Sequence, residues 1–486
     1  MKLYLNGAPR YASEQIMMML FPKDRPEVVE TRPEGDFAEI EIRENKFHIL
    51  AKSRIYKDGV LHFGVDFIDN HEDELESKRR LHQALKVSFY KAALGLLKKA
   101  PEWGAMTGIR PAKVAAKLIN GGKTIDETDE ILGKTYFVQP ARRALAIKAA
   151  VEGIKIEKSM DKRDISLYVG IPFCASRCKY CSFVSHSIDK AQHLVAPYID
   201  TLLDEMKTVG ESVRASGLKI KSLYIGGGTP TALSTPDLKR VMEGISENFD
   251  LSHLIEYTVE AGRPDTADRE KIEMIASLGA TRISVNPQTM DNRVLSLMGR
   301  NHTAEDIVRM VGDIREVSHM LINMDVIAGL PGDTYEGFCD TMEKVIALNP
   351  DNITVHTLAI KKGSTLKAEM MALPETDEVE AMVDFARERV EEFGYAPYYL
   401  YRQKYMSGNL ENVGYAKPDC ESVYNVLIME ELQTIVSLGA GGVTKLVDRN
   451  DAEIVRIFNP KYPYEYNSAG EKFSDTAQRI NEFYGR

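Results

Sequence analysis

Apolar and polar positions change rhythm along the chain. In the first part Glu39–Arg43 alternates polar and apolar, and so in part do Lys46–Ser53 and Val60–Phe67. Asp58-Gly59 lies between the last two as a hairpin turn signal. This pattern predicts a small antiparallel sheet with one wet face. Glu72–Ala100 then carries Leu75, Leu81, Leu85, Phe89, Leu96 and Leu97 at roughly helical spacing. Trp103–Pro111 (WGAMTGIRP) breaks that helix and reads as a structural turn, and helical patterns follow at Ala112–Ile119 and Ala141–Lys155. The charged stretch Lys155–Asp164 reads as a linker, so residues 1–160 are expected to form an α+β accessory domain.

From Ile165 the rhythm becomes strand, helix, strand. Short apolar runs lie at Ile165–Phe173, Ser222–Ile225, Glu256–Glu260, Arg282–Val285, Asn323–Leu330 and Asn352–Leu358. Helical stripes fall between them at Leu194–Met206, Pro236–Ile245, Asp268–Leu278, Ala304–Val317 and Gly337–Ala347. Successive βα units demand parallel strands with right-handed crossovers. Six units are too few to close an eight-fold barrel, so the expected fold class is α/β, a partial (β/α)6 TIM-like barrel over residues 161–370. Ligand sites in such folds collect at the carboxyl ends of the strands. Beyond residue 370 the pattern weakens to a helix at Asp377–Phe393, an aromatic strand-like run at Tyr395–Tyr405, a loop at Ser407–Tyr415 and the glycine-rich SLGAGGV within Val436–Val447. Residues 371–486 are expected to form an extension covering the open side of the barrel.

Composition narrows the classes of function. The chain has 486 residues, a formal net charge of −10 and 28% charged residues, which argues against general nucleic-acid binding. No run of 18 apolar residues exists, and the amino terminus lacks the basic and apolar regions of a signal peptide. The five cysteines, three of them in one loop, do not make a secreted disulfide framework, so a reducing cytoplasm is expected. Cys339 and Cys420 read as free thiols.

That loop holds the candidate chemistry. Cys174, Cys178 and Cys181 stand in a C-x3-C-x2-C spacing directly after the first strand of the barrel. Soft thiolates favour an iron–sulfur cluster or zinc, and three of them on a cubane leave one iron open to a substrate. A zinc knuckle, a disulfide pair or buried apolar cysteines are the alternatives. Further candidates sit at later strand ends. Gly226-Gly227-Gly228-Thr229-Pro230 follows the second strand, where glycines let the backbone approach a ligand. Glu260 ends the third, placed to accept hydrogen bonds or to cap a helix. Gln288 and Arg300 flank the helix after the fourth, and Asp325 lies inside the apolar fifth run, where a carboxylate is costly without a partner.

The cysteine spacing, with Tyr180 before the third cysteine, resembles the radical S-adenosylmethionine (SAM) enzymes. From Tyr168 to about Ala359 the chain is similar to the oxygen-independent coproporphyrinogen III oxidase family, through the C-x3-C-x-Y-C loop, the GGGTP turn, the strand-end glutamate, the glutamine before a helix and DVIAGLP. EAGRPDT, NPQTM and YRQKYMSGNLENVGY resemble the HemZ-type branch, coproporphyrinogen dehydrogenases.

The resemblance implies a [4Fe–4S] cluster on Cys174, Cys178 and Cys181. It implies SAM at Tyr168, Gly227, Gly228, Thr229, Glu260, Gln288, Arg300, Asp325 and Ala359. The activity it implies is decarboxylation of two propionates of coproporphyrinogen III to vinyls, in haem biosynthesis, with a low-potential electron donor. One position departs from the family, Phe183, where better-known members carry a further cysteine; CSFVSH is instead close to related haem chaperones, which would bind haem rather than turn over a porphyrinogen. Another radical SAM reaction on a tetrapyrrole is a further alternative. A tetra-anionic substrate would need cations near SAM; Arg177, Lys179, Arg263 and Arg402 are candidates or, equally, surface charges, and the tyrosines at 398, 399, 401 and 405 are rings that stack on a macrocycle or pack a sheet.

Overall fold

A computed structural model describes residues 1–485 apart from 184, 362, 370, 404, 405 and 449–453. Tyr405 of the aromatic run therefore lies outside the described residues. The chain divides into two compact units, Met1–Ile147 and Lys148–Arg486. The division falls within the helix Pro140–Lys158.

The first unit is a sheet of five strands, β1 (Lys2–Asn6), β2 (Glu27–Val29), β3 (Phe37–Glu44), β4 (His48–Lys57) and β5 (Val60–Asp69), in the order β2-β1-β3-β4-β5. The β4–β5 turn is Asp58-Gly59 at φ 49° and 78°, the left-handed pair that a two-residue hairpin needs. The sheet is not purely antiparallel as expected, because β1 pairs parallel with both β2 and β3. The helix Arg10–Leu20 supplies the crossover that a parallel pair requires. Alternation does the rest: Ile40, Ile55 and Leu3 bury one face against Leu85 and Phe89 of the helix Glu74–Ala93. That helix stops at Ala93, short of the expected Ala100, and passes into a 3-10 turn.

The second unit is built on β6 (Asp164–Ile171), the two-residue β7 (Phe173–Cys174) and β8 (His186–Ser187), β9 (Lys219–Gly227), β10 (Glu256–Gly262), β11 (Arg282–Val285), β12 (Leu321–Ala328) and β13 (Asn352–Thr357). It continues with β14 (Ala396–Tyr401), β15 (Asn412–Ala416), β16 (Ile435–Leu438), β17 (Val443–Val447) and β18 (Ile454–Phe458). The main sheet runs β14-β15-β13-β12-β11-β10-β9-β6-β16-β17-β18. Strands β6 and β9 to β13 are all parallel, as helical crossovers dictate. The residues after 370 extend both edges of this sheet, and the expected loop Ser407–Tyr415 contains a 3-10 turn followed by most of β15.

The parallel strands have two different faces. Leu167, Val169, Leu223, Ile225, Val259, Ile283, Met324, Val326 and Ile353 are fully buried apolar positions, the face that crossover helices cover. The alternate residues form the inner face: Ser166, Tyr168, Ser222, Tyr224, Glu256, Thr258, Glu260, Arg282, Ser284, Asn323, Asp325, Asn352, Thr354 and His356. Register joins them, with Tyr168 beside Tyr224, Glu260 beside Ser284 and Asp325 beside Thr354. A polar face inside a parallel sheet needs internal partners, and it finds them at one end in the segment 420–424. Glu256 accepts from Ser422 Oγ at 3.0 Å and from the backbone of Val423 and Tyr424, so it caps the helix Val423–Glu430. Arg282 donates to Asn352 and to the Cys420 carbonyl.

Candidate active site

The cysteine loop is tied down at both ends and in the middle. Phe173 pairs with His186 and Cys174 with Ser187, so residues 175–185 leave and return at the same place. Within the loop the Cys181 amide donates to the Cys178 carbonyl, and the Lys179 amide donates to Met298 O. Ser176 Oγ donates to Gly299 O at 3.1 Å. All three cysteines are free thiols. Burial pushes the Cys174 thiol up, and pushes Cys181 up to about 11. Such thiols keep their protons until a metal replaces them.

The glycine turn fits against this loop. The Gly228 amide donates to Ile171 O and the Thr229 amide to Phe173 O, both at 2.7 Å. A Cβ on Gly228 would stand 2.4 Å from Phe173 O and 2.9 Å from Cys174 Sγ, so only glycine lets the two backbones meet. Gly227, at φ 111°, occupies a conformation closed to L side chains. Thr229 is buried beside them.

Two carboxylates face the same end of the sheet with opposite tendencies. Glu260 accepts from Tyr224 Oη, and a strand irregularity between Glu260 and Gly262 turns the strand end. Burial pushes Glu260 up to about 7, and the charge of Asp325 adds to that shift. Burial also works against the charge of Asp325, but His356, Asn323 and Thr354 together outweigh it. The His356 Nε2 atom lies 3.7 Å from Asp325 Oδ2, and Asn323 donates to Oδ1 at 2.9 Å, which together hold Asp325 below the usual carboxylate range. Gln288 sits between β11 and β12 at φ 67°, its amide donating to Asp325 O and its carbonyl accepting from Ile327. A left-handed glutamine stores about 1 kcal/mol or more of strain. Its side-chain oxygen is buried without a hydrogen-bond partner among the described residues.

Arg300 is buried and joins the loop to the strand ends. Its guanidinium donates to Tyr180 Oη at 2.9 Å, to Asn286 O at 2.6 Å and to Cys178 Sγ at 3.8 Å. Tyr168 stacks near Tyr224 and Tyr424, with ring centroids 6.2 and 6.4 Å away, and burial pushes its hydroxyl up. Ala359, half-buried, bridges to Met406 rather than bonding to the other candidates. The structure thus brings Cys174, Cys178, Gly227, Gly228, Thr229, Glu260, Gln288, Arg300, Asp325 and Tyr168 into one connected set.

Of the four candidate cations, Arg177 is exposed and donates to Gly363 O, and Lys179 pairs with Glu369 at 2.9 Å. Arg263 and Arg402 are buried: Arg263 forks onto Asp265, and Arg402 donates to Asn409 O. Tyr398 and Tyr399 are buried in the sheet. The sequence reading did not single out Tyr224, Tyr424, Asn323 or His356. Three of these are polar residues at alternate positions of apolar runs, which was the available signal; Tyr424, on a helix after the barrel, gave none.

Residues 168–345 match the model of the radical SAM superfamily. The chain is 34% identical, over 88% of its length and 86% of the relative's, to the oxygen-independent coproporphyrinogen-III oxidase-like protein HemZ of Bacillus subtilis. It is 29% identical, over 65% of its length and 76% of the relative's, to the heme chaperone HemW of Lactococcus lactis. Among solved structures, coproporphyrinogen III oxidase (HemN) of Escherichia coli shares the fold with a TM-score of 0.52 and 24% identity, over 66% of this chain and 73% of that one.

Proposed function

The chain belongs to the radical SAM superfamily and, within it, to the oxygen-independent coproporphyrinogen-III oxidase-like family, and from that premise we propose that it is a coproporphyrinogen III dehydrogenase. The likeness over nearly the full length of the HemZ protein carries the substrate assignment. The superfamily uses a [4Fe–4S] cluster and SAM, and Cys174, Cys178 and Cys181 fit its cysteine motif.

The residues present fit both groups. Three thiols in one pinned loop suit a cluster that keeps one iron open. The buried oxygen of Gln288, without a partner among the described residues, is the acceptor a polar ligand would satisfy, and the glycine turn packs against Cys174 with no side chain in between. When bound, the cluster and SAM supply one-electron chemistry able to remove a hydrogen atom from a propionate side chain.

In this reading Tyr168, Gly227, Gly228, Thr229, Glu260, Gln288, Arg300, Asp325 and Ala359 line the SAM site. Asp325, kept ionised by His356, and Glu260 accept from hydroxyl or ammonium groups. Arg300 orients the loop through Cys178 and Tyr180. Tyr168, Tyr224 and Tyr424 exclude water from the inner face. Each of two propionates loses hydrogen and carbon dioxide to leave a vinyl, with the electrons passing to an acceptor outside the chain.

The second reading, a haem-binding chaperone, rests on Phe183. It is 65% exposed next to Cys181, at the position where catalytic members are expected to carry a further cysteine. Anaerobic reconstitution followed by SAM, a low-potential reductant and coproporphyrinogen III separates the two. Mass losses of one carboxyl group plus hydrogen, matched by 5′-deoxyadenosine, are the expected result. SAM cleavage with the porphyrinogen unchanged, together with tight haem binding, would establish the chaperone instead.

A further inference from the structure

A tetra-anionic substrate needs cations at the open end of the inner face, and the obvious ones are committed. Lys179 is paired with Glu369, Arg263 with Asp265, and Arg300 spends its donors on Tyr180, Cys178 and two carbonyls. Arg402 is buried and bonded to Asn409 O. Arg177 is exposed, so water already satisfies its charge.

Lys361 is different. It lies just after β13, in a segment laid across the cysteine loop: the Thr365 and Leu366 amides donate to Lys179 O, and Gly363 O accepts from Arg177. Ser364 closes this turn by donating through both its amide and its hydroxyl to the Lys361 carbonyl. The Lys361 side chain is half-buried, and its ammonium has no hydrogen-bond or ion-pair partner among the described residues. An ammonium drawn partly out of water with no counter-ion is unfavourable, so a site built this way is completed by an incoming anion.

We propose that Lys361 is a specificity-determining residue that receives a carboxylate side chain of the tetrapyrrole and so sets one propionate beside the cysteine loop. The assignment rests on the dehydrogenase reading for the identity of the substrate. It follows from the placement of Lys361, a half-buried cation beside the cysteine loop without a partner among the described residues. A carboxylate there forms a charge-assisted hydrogen bond with Lys361 Nζ, and an esterified or alkyl side chain does not.

The test uses the full-length, cluster-reconstituted protein and coproporphyrin III, the stable oxidised form of the substrate, with binding followed by porphyrin fluorescence under anaerobic conditions. Lys361→Met is expected to weaken binding by about ten- to a hundredfold, the range for a hydrogen bond to a charged group. Lys361→Arg should restore most of it. The tetramethyl ester of coproporphyrin III should bind wild type and Lys361→Met alike. In turnover the loss should fall on KM for coproporphyrinogen III more than on kcat.

Equal coproporphyrin binding by wild type and Lys361→Met would overturn the inference while leaving the dehydrogenase reading intact. Unchanged porphyrin binding with a shifted cluster potential or weakened SAM binding would also overturn it, making Lys361 a counter-charge to the cofactors. Wild-type protein that binds no coproporphyrin III would remove the dehydrogenase reading and this inference together.

Discussion

Glu256 and Glu260 stand on the same strand and the same face, four positions apart, and they live in opposite circumstances. Glu256, the first residue of β10, accepts three hydrogen bonds from residues 422–424 and faces Arg282 Nε at 3.5 Å. The segment that supplies these bonds also accepts from Arg282 and Asn352 through the Cys420 carbonyl. Glu260, toward the other end, has Tyr224 as its side-chain donor and the charge of Asp325 beside it, and is pushed up to about 7. Near it Gln288 keeps a buried oxygen without a partner among the described residues. A buried carboxylate alone therefore marks neither a site nor a scaffold. The accounting of its hydrogen bonds separates the two: Glu256 ties the sheet to residues 422–424, and Glu260, with fewer donors, stands at the end proposed to take a ligand.

The sharpest break in this comparison lies beyond both glutamates, at the loop the open end serves. Cys174→Ala should abolish the iron–sulfur absorption after reconstitution and with it all SAM cleavage, while thermal unfolding of the cluster-free protein stays nearly unchanged. Retained iron absorption with full SAM cleavage in that variant would remove the cysteine loop from the site.

Next in size is the closed end. Glu256→Gln leaves Arg282 without its counter-charge in a buried network, a loss of about 3 kcal/mol or more in unfolding free energy. Chemical denaturation should show a lower midpoint, with SAM affinity in the folded fraction preserved. A variant as stable as wild type would mean that the C-terminal segment holds without this cap.

Glu260→Gln should do the reverse: SAM binding weakens by roughly tenfold or more, and stability holds or rises. The pH dependence gives the sign. An acid pushed up to about 7 in the folded protein, against an ordinary value of 4.5, binds a proton more readily folded than unfolded. Between those two values stability therefore falls as pH rises, and below 4.5 the full relief is present. Denaturation midpoints measured from pH 4.5 to 7.5 should show that slope, and Glu260→Gln should flatten it.

The smallest expected effect is at Tyr424, which touches both ends. Its amide bonds Glu256, its ring lies 4.6 Å from that of Tyr224, and its hydroxyl is buried without a partner among the described residues. Tyr424→Phe removes an unsatisfied hydroxyl and should change unfolding free energy by about 1 kcal/mol or less. A larger loss of SAM or porphyrin affinity than of stability would show that a ligand reaches the hydroxyl.

Much of the barrel was legible because its outer face is uniformly apolar. Runs such as Ser222–Ile225 and Arg282–Val285 fall within β9 and coincide with β11, and the helical stripes between them became the crossover helices. The parallel β1 was not legible, since pairing direction depends on where the helix Arg10–Leu20 returns the chain. Nor was the strand β15 within the expected loop, whose place depends on the edge of β13. At the site, the cysteines, the glycines, Glu260 and Asp325 announced themselves by motif or by a charge in an apolar run. Tyr424 did not, because its meaning comes from what it faces.

The sequence by itself determined the elements and the chemistry at hand: periodicity of two and of 3.6 follows from local geometry, and three thiols within eight residues need no tertiary contact to form a chelating loop. Only the tertiary structure decided which polar groups found hydrogen-bond partners and which did not. Residue type alone does not tell which of Glu256 and Glu260, or of Lys179 and Lys361, has its charge met by a partner. Their difference lies in partners 166 to 190 residues away in the chain, Ser422 for Glu256 and Glu369 for Lys179, or in none among the described residues, as for Lys361. Hydrogen bonding and desolvation act through space, and the fold alone sets those distances.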